Sequence, residues 1–314
     1  MIEVDKLTKY FGERAAIRDI SFSIGKGEVV GFLGLNGAGK TTTLRILGCL
    51  LLPSSGTVTV GGLEVTQNPY EIRRNIGFLP DTPPLYTEMT VGAYLAFAAR
   101  LRHVRRPELA ARVSEAEEKT ALREVHHEVI AELSHGYRQR VGVTQAIVHR
   151  PSLLILDEPS AGLDPAQIVE MRNMIQGLRG EHTVLISSHF LTEISQTCDR
   201  LLVISAGELV GQGTEDELAQ AMGHGSSVIQ VEVKGQPAGV AERLAGIAGV
   251  TTAKIVTRSE GATVVEVTAI GDVRAEVARQ LVTAGCDLLR LEQNERRLES
   301  IFMNLTQGPA GGPQ

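Results

Sequence analysis

No stretch of this chain is apolar for long enough to cross a bilayer. The longest runs, such as Ile46 to Leu52, fall far short of the ~20 residues that a membrane helix needs. The opening Met-Ile-Glu-Val-Asp has neither a basic n-region nor an apolar h-region, so no signal peptide is expected. Cysteine is scarce. Cys49, Cys198 and Cys286 are scattered, with no CxxC pair and no even-numbered framework, which suits a reducing compartment better than a disulfide scaffold. Excess positive charge is lacking too: the net charge of −6 argues against a general nucleic-acid binder, and no nucleic-acid partner is expected.

What is present is an ordinary globular composition, 43% hydrophobic and 22% charged, over 314 residues, enough for one large domain and a smaller one. The first 220 or so residues alternate strand-like and helix-like segments, the pattern of an α/β fold with a largely parallel sheet. Met1–Asp5 and Ala16–Ile24 alternate apolar and polar residues, as half-exposed antiparallel strands do. Glu28–Leu33 is nearly pure apolar and reads as a buried central strand. Glycines break it at Gly34–Gly39, and helical spacing then runs from Lys40 to Leu52, before Pro53. Further short apolar runs stand at Ile76–Leu79, Leu153–Leu156, Val184–Ile186 and Leu201–Ile204.

Val91–Leu133 carries no strand signal and reads as successive helices, a helical insertion at about residues 88–150. The expected main domain is 1–222. After a polar break at His224–Ser227, residues 223–306 read as strand, helix, two strands, helix and strand, a ferredoxin-like βαββαβ order. A last amphipathic helix is expected at Leu298–Leu305 and a disordered tail at 307–314.

Gly34-Leu-Asn36-Gly37-Ala38-Gly39-Lys40-Thr41-Thr42 fits G-x-x-x-x-G-K-[ST] between an apolar strand and a helix, the context that motif requires. Its glycines let backbone N–H groups close on phosphate oxygens at a helix N-terminus. Lys40 would neutralise the β- and γ-phosphates of ATP, and the Thr41 hydroxyl would hold Mg²⁺. Leu153-Leu-Ile-Leu-Asp157-Glu158 drives a strand through the core and delivers two carboxylates at its C-terminal end. Asp157 would hold Mg²⁺ and Glu158 would act as general base on the attacking water. A solvated acidic turn is the plain alternative.

Further segments carry a resemblance. Leu133-Ser134-His-Gly136-Tyr-Arg-Gln-Arg resembles the ABC signature, Ser160-Ala-Gly-Leu-Asp164 the D-loop, and His189 the switch histidine. In that order with the P-loop, they make the chain similar to the nucleotide-binding subunit of an ABC transporter over about residues 2–220. The resemblance implies a P-loop NTPase core with an antiparallel β subdomain, and two subunits sandwiching two ATP molecules, as a homodimer or a paralogous heterodimer. Ser134 and Gly136 would contact the γ-phosphate across that interface, and His189 would contact it within the chain. It also implies adenine stacking at Leu7-Thr-Lys-Tyr10-Phe11-Gly12, where register favours Phe11 over Tyr10; a core aromatic on the edge sheet is the other reading. Asp81 stands where the family carries a Mg²⁺-sensing Gln, and the signature reads Ser-His-Gly-Tyr in place of Ser-Gly-Gly-Gln.

A transporter of this kind needs a separate transmembrane permease and would hold this chain at the cytoplasmic face of the membrane. The family docks it on the helical insertion and near Asp81. Leu95, Phe97 and Leu101 are expected in the core more than on that surface, and Arg100, Arg102, Arg105 and Arg106 on a solvated basic face. The signature, the βαββαβ tail and the closing Leu298-Glu-Ser-Ile-Phe-Met-Asn-Leu resemble the subgroup serving small bacterial or archaeal export permeases. Two other readings stay open: a regulatory ATP-binding subunit with little turnover, and an ABC ATPase of ribosome or DNA-repair type.

Overall fold

The computed structural model describes residues 1–215, 217–218, 226–235, 237, 239–258 and 261–293. The chain divides into two compact units, Met1–Thr214 and Glu215–Gln314.

In the first unit, β1 (Ile2–Phe11) and β2 (Arg14–Ile24) form an antiparallel pair whose alternating burial follows the pleat. The next strand, β3 (Val29–Leu33), is buried at every position. The P-loop follows, then α1 (Lys40–Leu47), β4 (Ser55–Val60), the short β5 (Leu63–Glu64), α2 (Pro69–Arg74) and β6 (Ile76–Leu79). The helical insertion contains α3 (Val91–Leu101), α4 (Leu109–Lys119) and α5 (His135–Ile147). Then come β7 (Leu153–Asp157), α6 (Pro165–Gly177), β8 (Thr183–Ser188), α7 (Leu191–Thr197), β9 (Arg200–Ser205) and β10 (Glu208–Gly213).

One sheet runs β2-β1-β4-β5 and the other β10-β9-β3-β8-β7-β6. In the second, β9, β3, β8, β7 and β6 are parallel, and only the edge strand β10 is antiparallel. Because β3 pairs in parallel on both sides, it must be apolar on both faces, which is how its sequence reads. Register does the rest. Leu33 faces Ser188, Ser187 faces Asp157 and Leu156 faces Leu79, so the loops after β3, β8, β7 and β6 leave the sheet at one edge. That carboxyl edge is where open α/β sheets bind ligands.

Some sequence expectations shift. Helix α1 ends at Leu47, not Leu52. A Cβ on Gly48 would stand 3.1 Å from the Phe78 ring, and Cys49 turns left-handed at φ 55°, so the chain leaves the helix there. Leu50 and Leu52 are then exposed. Leu95 is core, as expected, but Phe97 is half-buried and Leu101 is 63% exposed at the end of α3. Arg100, Arg105 and Arg106 are exposed, whereas Arg102 is half-buried and donates to the Arg73 carbonyl at 2.5 Å.

In the second unit, β11 (Ser226–Lys234), the helix Val240–Ala245, β12 (Val250–Arg258), β13 (Ala262–Ile270), the helix Arg274–Thr283 and β14 (Leu288–Gln293) follow the βαββαβ order. The sheet runs β12-β13-β11-β14 and is antiparallel throughout. Period-two burial of Ile229, Val231 and Val233, matched by Val265 and Val267, closes a core with Leu244, Val277 and Leu281 from the helices. Ser226 and Ser227 pair with Ile270 and Ala269, so they belong to β11 and not to a linker. The expected helix at Leu298–Leu305 and the tail 307–314 lie outside the described residues. Among the described residues no helix is long and apolar enough to cross a membrane.

Candidate functional site

A cavity of about 420 Å³ opens at the carboxyl edge of the parallel sheet, lined by Asn36, Gly37, Gly39, Lys40, Thr41, Thr42, Asp81, Glu158 and His189, with Ala16, Leu35 and Ala161. Gly34 and Ala38 form the base of the loop and do not line it. Two glycines are required by close approach. A Cβ on Gly34 would lie 2.6 Å from the Ile204 carbonyl oxygen. Gly39 sits at φ 111°, and a Cβ there would lie 2.7 Å from the Ala16 carbonyl oxygen. The result is a backbone that bends tightly into α1 with its N–H groups at the helix N-terminus, an anion-binding arrangement.

Lys40 is 5% exposed. Its Nζ donates to the Gly34 carbonyl at 2.7 Å and stands 3.2 Å from Glu158 Oε1. The other oxygen of that carboxylate, Oε2, lies 2.8 Å from His189 Nδ1. Glu158 is thus held between a cation and an imidazole at the mouth of the cavity. Its backbone is left-handed, at φ 50°, and its N–H donates to Ser187 Oγ at 2.9 Å. A strained turn held by a specific hydrogen bond is common at working sites. The His189 ring packs on Phe190 with centroids 3.9 Å apart.

Asp157 ends β7 and is 1% exposed. Ser187 Oγ donates to its Oδ1 at 2.5 Å, while Oδ2 is buried and has no partner. Burial pushes the carboxyl above its ordinary range, and the nearby charges of Asp81 and Glu158 push the same way, against hydrogen bonds from Ser187 and Thr41. A buried carboxylate oxygen without a partner, next to a threonine hydroxyl and a second acid, is the donor set of a hard divalent cation. Mg²⁺ fits these residues. Among the described residues no group of three His, Cys, Asp or Glu is arranged to hold a metal, so phosphate oxygens and water would have to complete its shell.

The other expected site residues lie away from the cavity lining. Phe11 is 53% exposed with Lys9 Nζ 5.4 Å from its ring centroid, and Tyr10 is 50% exposed, so neither is a core aromatic. Ser134 caps α5, accepting from the Tyr137 N–H at 3.3 Å, and Gly136 packs against the Gln167 side chain. Ser187 was not singled out in the sequence. A serine in the Ser187-Ser188 pair that follows an apolar run has no distinguishing pattern; only the pairing of β8 with β7 reveals its role.

Residues 17–161 match the ABC_tran family, described as ABC transporter. The uncharacterized ABC transporter ATP-binding protein YxlF of Bacillus subtilis (strain 168) is 33% identical over 305 residues, spanning 97% of this chain and 99% of its own. The chain belongs to the ABC transporter ATP-binding protein family. It is an ABC ATPase, the ATP-binding subunit of an ABC transporter. The linearmycin resistance ATP-binding protein LnrL of the same organism is 31% identical to this ABC ATPase, with 98% of each chain covered. A solved structure described as the dimeric structure of MJ0796, a bacterial ABC transporter cassette, superposes with a TM-score of 0.62 at 25% identity, covering 68% of this chain and 98% of its own.

Proposed function

We propose that this ABC ATPase drives export through a separate membrane permease, closing as a dimer around ATP and opening on hydrolysis. The observation that carries the proposal is Glu158, clamped between Lys40 and His189 beside a phosphate-sized loop. A phosphate anion arriving in the loop would compete for Lys40 and leave Glu158 Oε1 free to accept a proton from water. His189 would then meet the γ-phosphate. The N–H groups of the Gly34–Thr42 loop and the α1 dipole favour the polyphosphate, and exposed Phe11 is available to stack on adenine. Thr41, Asp81 and Asp157 would hold Mg²⁺, which, when bound, supplies charge neutralisation at the phosphates.

Ser134 and Gly136 supply the reason for two copies. They lie outside the cavity of their own chain, yet present a hydroxyl and the N-terminus of α5, groups suited to a phosphate. A second subunit facing the first would bring them to its nucleotide, as the dimeric MJ0796 cassette suggests. The resistance name of LnrL supports the export direction. Exposed Leu50, Leu52, Tyr70 and Leu101 offer an apolar surface for a permease, tied together by Arg73, which donates to the Cys49 carbonyl at 3.3 Å and accepts from Arg102.

Glu158→Gln should lower turnover by about 10²-fold or more while ATP binding is retained. Lys40→Ala should instead lose ATP affinity, read by equilibrium binding of labelled nucleotide. Turnover persisting in the first variant would remove Glu158 from the general-base role, and unchanged affinity in the second would place the phosphate site elsewhere.

A further inference from the structure

The residue between Ser134 and Gly136 is a histidine, where the family pattern quoted above has glycine. His135 is exposed at the first turn of α5, yet its ring is not idle. Nε2 lies 3.0 Å from the carbonyl oxygen of Ala161, in the D-loop. A carbonyl only accepts, so Nε2 carries the proton and donates. Protonation of Nδ1 leaves that donor in place. Neighbouring Gly162 sits at φ 74°, and a Cβ there would be 3.2 Å from Nε2, so the D-loop bends to let the imidazole in.

The contact leads on to the catalytic carboxylate. Ala161 N–H donates to the Glu158 carbonyl at 3.1 Å, closing the turn that holds Glu158 in its left-handed conformation. A glycine in place of His135 would supply no side-chain donor to the D-loop. We infer that His135 is a positioning residue that ties the signature to the D-loop, so that nucleotide capture by Ser134 is transmitted through Ala161 to the aim of Glu158 in the same chain. The inference rests on the shared-site reading above. It makes hydrolysis in one site depend on occupancy of the other, because Ser134 serves the partner's nucleotide and Glu158 serves its own chain's.

The test compares His135→Ala with His135→Gln, whose amide nitrogen can take the place of Nε2. Each is made in the otherwise unaltered chain for turnover and in a Glu158→Gln background for ATP-driven dimerisation. His135→Ala should lower kcat by about 10-fold, the size of one lost hydrogen bond, with its ATP affinity and dimerisation midpoint within about 2-fold of the parent. Its ATP dependence should also lose cooperativity, and His135→Gln should recover most of the rate. Turnover of His135→Ala within about 2-fold of the parent, with dimerisation intact, overturns the role of His135 alone. Equal impairment of both variants also overturns it, since the loss would then be one of packing. A Glu158→Gln protein that never dimerises with ATP overturns the shared-site reading, and this coupling with it.

Discussion

Ser187 carries two hydrogen bonds of opposite sense: its hydroxyl donates to Asp157 Oδ1 and accepts the N–H of Glu158. One side chain therefore fixes both carboxylates, the expected cation ligand and the expected base. Ser187→Ala would remove the hydroxyl that Asp157 Oδ1 accepts from and release the Glu158 turn. The expected cost is about 1–3 kcal/mol in urea unfolding and a fall in turnover of roughly 10-fold or more; a variant with full turnover would show that the turn holds itself. His149 offers a second check at this scale. Its Nε2 meets the Ile76 carbonyl at 3.2 Å, its Nδ1 is buried without a partner, and burial, helped by the Arg102 charge, lowers its pKa to about 4. The unfolded chain takes up that proton near pH 6.5, earlier than the folded one. The stability that neutral His149 contributes is thus complete above about pH 6.5 and is lost as pH falls toward about 4, a change of about 3 kcal/mol. Comparing pH–stability curves of the parent and His149→Gln should show a shallower decline in the variant across that window.

Among the elements, the P-loop is the most tightly determined. Gly39 combines a left-handed backbone with a 2.7 Å approach to the Ala16 carbonyl oxygen, so Gly39→Ala must move the loop. A loss of about 2 kcal/mol or more in thermal unfolding and a fall in ATP affinity of about 10-fold or more are expected. Unchanged affinity would mean that the loop tolerates a side chain there. This element, with β3, β7 and β8, was legible in the sequence because unbroken apolar runs and glycine spacing each have one physical reading. The βαββαβ order was legible for the same reason, period-two alternation in β11 and β13. Other features were not. Ser55–Val60 drew no strand expectation, yet it forms β4 and pairs with β1. The end of α1 is decided by the Phe78 ring against Gly48, a contact between distant residues that no local pattern encodes. Arg102 reads as one of a solvated set until its bond to Arg73 is seen.

For the whole molecule, the parallel sheet gathers the P-loop, Asp81, Glu158 and His189 at one cavity, while Ser134 and Gly136 stand at the N-terminus of α5, outside the lining of that cavity. In the proposed dimer, a site assembled from both sets would require two subunits with the γ-phosphate between them. Nucleotide is then part of the interface, and association depends on which nucleotide is present. The direct test is light scattering of purified Glu158→Gln protein with Mg²⁺-free ATP and, in parallel, with ADP. The account predicts a dimer with ATP and a monomer with ADP; a monomer with both would contradict it.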